Sequence, residues 1–155
     1  MSVPLGFTAK QLKIWRMRRD GSSLSDIARQ LGVTRQAISK AMRGIDGKVS
    51  HTLEAAASAA KIEIRHLEPR AGILLGYSHE TNERVVVTLS TQHGVQIWHH
   101  YAGRCEGCEL LDRCMKVILD EAEERGVSLT EEERTGYPAE IARAVFSKVI
   151  PGLEP

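Results

Sequence analysis

The sequence has no apolar run approaching the roughly 18 residues that span a bilayer, and its N-terminus lacks the apolar core of a secretory leader. The expectation is therefore a soluble, cytoplasmic protein with no membrane partner. Paired carboxylates, a Ser-His-Asp set and a glycine-rich phosphate loop are also missing, so an enzyme is not expected. There is no internal repeat and no low-complexity tract. Cysteine is scarce: the 155 residues hold 3, all between positions 105 and 114. Net charge is close to zero at +1, but that figure conceals a division. Residues 1–48 hold 10 Lys and Arg against 3 Asp and Glu, a balance of +7, and residues 49–155 hold 11 against 17, a balance of −6. Positive charge gathered at one end suits a nucleic-acid partner, because each phosphate neutralised releases condensed counterions. The acidic remainder should turn away from such a partner. With 42% hydrophobic and 26% charged residues the chain is globular, long enough for one medium domain or two small ones.

The best-defined stretch is Leu24 to Arg43, LSDIARQLGVTRQAISKAMR. Ser25 is placed to cap a short helix with Ile27, Ala28 and Leu31 on its apolar side. Ala28 is small where a second helix must cross closely. Gly32 stands where the turn needs positive φ. Val33 is expected to pack after the turn, Thr34 to cap the next helix, and Ile38 with Met42 to return to the core. Arg35, Gln36, Ser39, Lys40 and Arg43 are left facing outward, a cationic hydrogen-bonding surface suited to base edges and phosphates.

This run resembles the helix-turn-helix of bacterial and archaeal transcription regulators, especially the type shared with sigma-factor region 4. Together with the preceding helix it looks most like the archaeal Tfx-type regulators, over roughly residues 7 to 60. The resemblance implies that the helix beginning at Arg35 lies in the major groove of double-stranded DNA. Arg35, Gln36, Ser39 and Lys40 would meet base edges, with Thr34 and Arg43 nearer the phosphates. A unit this small makes few contacts, so a homodimer on a two-fold site is expected.

Around this unit the pattern predicts an α+β fold. Thr8 and Gln11 form a capping box for a first helix carrying Leu12, Ile14, Trp15 and Met17, which Asp20-Gly21 ends. Lys10, Lys13, Arg16, Arg18 and Arg19 add positive charge to it, open to phosphates or to solvent. Gly44-Ile45-Asp46-Gly47 is read as a break. Ser50 to Lys61 then forms an alanine-rich helix with Val49, Leu53, Ala56, Ala57 and Ala60 on one side, either a dimer seam or packing within the chain. From Ile62 the period becomes two, giving a small antiparallel meander with strand candidates at Gly72–Tyr77, Arg84–Ser90 and Val95–Tyr101. Helices are expected from Cys108 to Arg125 and from Pro138 to Val149, with one helical turn after Thr130. Trp15 and Trp98 are read as core, and Glu121, Glu123, Glu124 and Glu131 to Glu133 as a solvated acidic face. The domain reading is a helix-turn-helix domain over 1–47, a linker or dimerisation helix over 48–61, and an α+β sensor domain over 62–155.

The cysteines follow the spacing Cys105-x2-Cys108-x5-Cys114, where a strand gives way to a helix. In a reducing compartment such clustering points to metal or thiol chemistry rather than a structural disulfide. Gly107 permits a tight turn, and amides at the start of the following helix would favour thiolates. Cys114 can converge with the others only if Cys108 stands at or before the helix cap. The spacing resembles several iron–sulfur proteins, among them the cluster loops of some DNA-repair glycosylases and part of the pattern of Wbl-type and SoxR-type regulators. Those families have a fourth cysteine and this chain has none. His99 or His100, which precede the loop, could complete a three-cysteine, one-histidine set, with His93 and His79 as further candidates. A 4Fe-4S cluster is the leading expectation, a structural zinc ion the next. A metal-free thiol switch and plain packing cysteines remain open.

The resulting expectation is a homodimeric, sequence-specific transcriptional regulator whose C-terminal part binds an iron–sulfur cluster and senses redox or cluster state. Alternatives are a DNA-binding protein with a purely structural zinc site, or a DNA-targeted redox enzyme using an open iron site.

Overall fold

Three side-chain caps set where the N-terminal helices begin in the computed structural model, which describes residues 6–100 and 105–150. Helix α1 runs Ala9–Arg19, and Thr8 and Gln11 cap it reciprocally as expected. Helix α2, Leu24–Leu31, is capped by Ser23 rather than Ser25: the Ser23 hydroxyl accepts from the Asp26 amide at 3.0 Å. Helix α3, Arg35–Ala59, begins at Thr34, whose hydroxyl accepts from the Ala37 amide at 3.1 Å.

Helix α3 does not stop near Arg43. It continues through Gly44 and Gly47 for 25 residues, about 37 Å at the usual rise. The expected break fails because Met42, Ile45, Val49, Leu53 and Ala57 recur at helical spacing and are all buried. Their burial outweighs the roughly 1 kcal/mol that each mid-helix glycine costs relative to alanine.

Four strands follow, β1 Ile62–Glu68, β2 Ile73–Ser78, β3 Glu83–Ser90 and β4 Gly94–His99, in an antiparallel meander of order β1-β2-β3-β4. Tyr101, expected in the last strand, lies outside the described residues. Helices α4 Leu111–Glu124, α5 Glu131–Arg134 and α6 Pro138–Val149 complete the chain. The architecture is α+β, with N-terminal helices, a meander sheet and C-terminal helices. No helix among the described residues is long and apolar enough to cross a membrane.

Strand alternation divides the core between the two faces of the sheet. Leu74, Val85, Val87 and Leu89 face α1 and α3, packing with Trp15, Ile27, Ile38 and Leu53. Ile73, Val86 and Trp98 face the other way, against Ile118, Ile141, Val145 and Phe146 of α4 and α6. The side of α3 with Val49, Leu53 and Ala57 is therefore spent within the chain, so a second copy would have to pair through another surface. At the β1–β2 turn Gly72 has φ +68, and a Cβ there would stand 2.6 Å from the Trp15 ring. That ring donates its N–H to the Pro69 carbonyl at 3.1 Å, tying α1 to the end of the sheet.

Two buried ion pairs join the layers. Glu121 and Glu124, expected on a solvated face, are 0% and 5% exposed. The Arg19 guanidinium of α1 lies 3.3 Å from the Glu124 carboxylate and also donates to the Glu124 carbonyl at 3.1 Å. Thr91 donates to the same carboxylate through its amide at 2.8 Å and through its hydroxyl. Glu121 pairs with Arg125 at 3.2 Å, and Arg125 donates to the carbonyls of Ala71 at 2.6 Å and Leu89 at 3.2 Å.

Candidate nucleic-acid interface and cysteine loop

The exposed surface of α3 is held out by what lies beneath it. Gly32 ends α2 in the left-handed region at φ 67, which only glycine adopts freely, and the chain turns into α3. Ile38, Met42 and Ile45 then anchor the first half of α3 in the core. Arg35, Gln36, Lys40 and Arg43 are left exposed, and Ser39 is half-buried between them. Thr34 is exposed and occupied with its cap. Val33, expected to pack after the turn, is instead 38% exposed at the start of this surface. Among the described residues, Arg35, Lys40 and Arg43 have no carboxylate partner, so their charge faces solvent uncompensated.

Helix α1 contributes less positive charge to this side than its five basic residues suggest. Lys10, Lys13 and Arg16 are exposed. Arg18 is half-buried and donates to the Ser22 carbonyl at 3.0 Å, and Arg19 is committed to Glu124. Lys48 of α3 is occupied as well, by the Gly6 carbonyl at 2.8 Å and the Gln11 amide oxygen at 3.1 Å.

The cysteine loop begins with a tight turn in which the Cys108 amide donates to the Cys105 carbonyl at 3.1 Å, with Gly107 at φ +70. Helix α4 starts at Leu111 with Leu110 as its cap, so Cys108 stands ahead of the cap, as convergence with Cys114 requires. The Leu110 amide donates to the Cys108 sulfur at 3.4 Å. All three thiols are free, with Cys105 and Cys114 half-buried and Cys108 exposed. They line one cavity of about 200 Å³ together with His99, Trp98 and Leu111. Burial pushes the Cys114 thiol up, and the neighbouring sulfurs of Cys108 and Cys105 push the same way.

Of the two adjacent histidines only His99 lines the cysteine cavity, although both line the neighbouring one. His99 shares the thiols' cavity, with Nδ1 2.9 Å from the Glu83 carboxylate. An Nδ1 proton donated to Glu83 leaves Nε2 as a lone-pair donor, the usual support for a metal-binding histidine. His100 lines only the neighbouring cavity and stands 3.4 Å from the Arg143 guanidinium. Burial first, then Arg143 and Arg84, hold its imidazole below the ordinary value. His93 bonds Asp120 at 2.8 Å and His79 bonds Glu63, both outside the cysteine cavity. The donor chemistry of three thiols and His99 suits a cluster or a zinc ion. In this conformation, however, no three His, Cys, Asp or Glu side chains among the described residues are close enough to hold one metal ion.

Sequence reasoning missed the arginine set around His100, namely Arg65, Arg84 and Arg143. These come from three elements, and no spacing along the chain unites them. The one local signal is Arg143 itself, a charge set among Ile141, Ala142, Ala144 and Val145 of α6. Comparison with protein-family models, with curated proteins and with solved structures returned no match.

Proposed function

We propose that this chain is a sequence-specific, double-stranded-DNA-binding transcriptional regulator that acts as a homodimer. The observation that carries the reading is the outer face of α3. Arg35, Gln36, Lys40 and Arg43 stand exposed, without acidic partners among the described residues, over a buried anchor of Ile38, Met42 and Ile45. A helix held this way fits the major groove, where arginine and glutamine can each make two hydrogen bonds to one base. The +7 balance of residues 1–48 supports it, and the −6 balance of the remainder favours one orientation on the duplex. Selection of duplexes from a random pool, followed by affinity measurement at low and moderate salt, tests the reading. Arg35→Ala should weaken binding to the selected site by about 1–3 kcal/mol while leaving the melting temperature unchanged. A chain that ignores duplex DNA at low ionic strength overturns the assignment.

The cysteine loop is the sensing element in this reading. Cys105, Cys108, Cys114 and His99 would hold an iron–sulfur cluster, with zinc as the alternative, and the group would supply ligation that responds to redox state. The support is that these four donors line one cavity at the start of α4. Protein isolated anaerobically should carry iron and acid-labile sulfide and absorb in the visible. One tightly held zinc would select the structural alternative, and a colourless, metal-free protein that binds DNA fully would remove this half of the proposal.

A further inference from the structure

Between α6 and the face of β2, β3 and β4 lies a cavity of about 220 Å³. Its body is apolar, walled by Leu75, Val86, Trp98, Ala142 and Phe146. Among the described residues its charged lining is cationic: Arg65, Arg84 and Arg143, with His99 and with His100 beside Arg143, and no carboxylate. The arginines are not equivalent. Arg65 is pinned by Glu63 at 3.4 Å and lies over the Tyr77 ring at 4.8 Å. Among the described residues, Arg84 and Arg143 have no acidic partner, and the buried Nε of Arg143 has no hydrogen-bond partner at all. A guanidinium held beside an apolar wall without an anion is costly, and an anion brought in with apolar substance offsets that cost.

We propose that this cavity binds a small organic acid, a single carboxylate on an aromatic or short aliphatic body. Guanidinium matches carboxylate in charge and in the geometry of two parallel hydrogen bonds. The apolar wall suits a body of this kind, because ligand cavities are mostly apolar with a few polar groups that fix orientation. An inorganic phosphate would leave that wall uncovered. A neutral molecule would leave the half-buried Arg143 without a counter-charge.

The test titrates the full chain with benzoate and with hexanoate, following the indole N–H resonances of both tryptophans by NMR. Benzamide, hexanol and inorganic phosphate are the comparisons. Trp98 lines this cavity and the cysteine cavity, which the arginine variants tell apart, and Trp15 lies in the core on the other side of the sheet. Saturable shifts of Trp98 without Trp15 are expected for at least one acid, with its neutral counterpart at least tenfold weaker. Arg143→Met should weaken the acid at least tenfold. Arg84 is exposed, so Arg84→Gln, expected to weaken it several-fold, decides the matter should Arg143→Met fail to fold. No saturable shift with either acid up to about 10 mM, beyond the millimolar end of affinity, overturns the proposal. Equal affinity for acid and neutral counterpart, tighter binding of phosphate, or undiminished affinity in a folded arginine variant does the same.

Discussion

Glu121 is a charge the chain has taken entirely out of water, and its surroundings set how stability follows pH. Its carboxylate faces Arg125 at 3.2 Å and accepts from the Thr88 hydroxyl at 3.2 Å, which in turn accepts from the Trp98 indole at 3.2 Å. Burial pushes the Glu121 carboxyl above the ordinary 4.5, with Arg125 and Thr88 pulling against it. A carboxyl raised by folding lends stability that is complete below its unfolded value and lost as pH climbs through its folded one. Glu121→Gln removes that titration. The stability of the native protein relative to the variant should therefore shrink from pH 4.5 upward, measured by urea unfolding at a series of pH values. A gap that widens with pH would show that Arg125 outweighs burial. The depth of this residue was half legible in the sequence. Glu121 lies four residues after Val117 and three after Ile118, on the apolar side of α4. Glu124 was not legible, because its partner Arg19 stands 105 residues away and only the fold brings the two together.

Elements whose ends are set by local chemistry were readable from the chain alone. The capping box at Thr8, the positive φ at Gly32, the cap at Thr34 and the span Pro138–Val149 all match expectation. What local chemistry does not decide was misjudged. In α3, two glycines three residues apart read as a break, but the sheet beneath supplies enough apolar contact to carry the helix across them. Gly47 is exposed, and a Cβ there would meet nothing within 4 Å. Gly47→Ala should then raise stability by about 0.5–1 kcal/mol, chiefly by restricting the unfolded chain, with urea unfolding as the measurement. A loss instead would mean that α3 uses the glycine to bend against the sheet. The candidate site divides along the same line. The basic face of α3 was legible because helical period alone segregates it, and strand alternation accounts for only one of His99 and His100 reaching the thiols' cavity. The arginine cavity was not, since strands β1 and β3 and helix α6 each supply one cation.

For the molecule as a whole, the division at residue 47 predicted from the sequence does not coincide with a gap in the packing. Helix α3 crosses it without interruption, and the residues beneath the helix-turn-helix share one core with the sheet. The sheet's other face belongs to α4 and α6, and Arg19 reaches from α1 to the end of α4. Under the proposed function, a change at the cysteine loop would reach α1 and α3 through α4 and the Arg19–Glu124 pair. The same connection predicts a single unfolding transition. The indole N–H of Trp15, bonded to Pro69, reports one core, and that of Trp98, bonded to Thr88, reports the other. Both resonances should vanish at the same urea concentration. Arg19→Met leaves the Glu124 carboxylate buried without its cation, a loss of about 3–5 kcal/mol by the usual cost of breaking a buried pair. It should lower both midpoints together, and Glu124→Gln added to it should cost far less than it does alone. If only the Trp15 midpoint moves in Arg19→Met, the two faces of the sheet unfold separately, and the ion pair cannot couple the cysteine loop to α3.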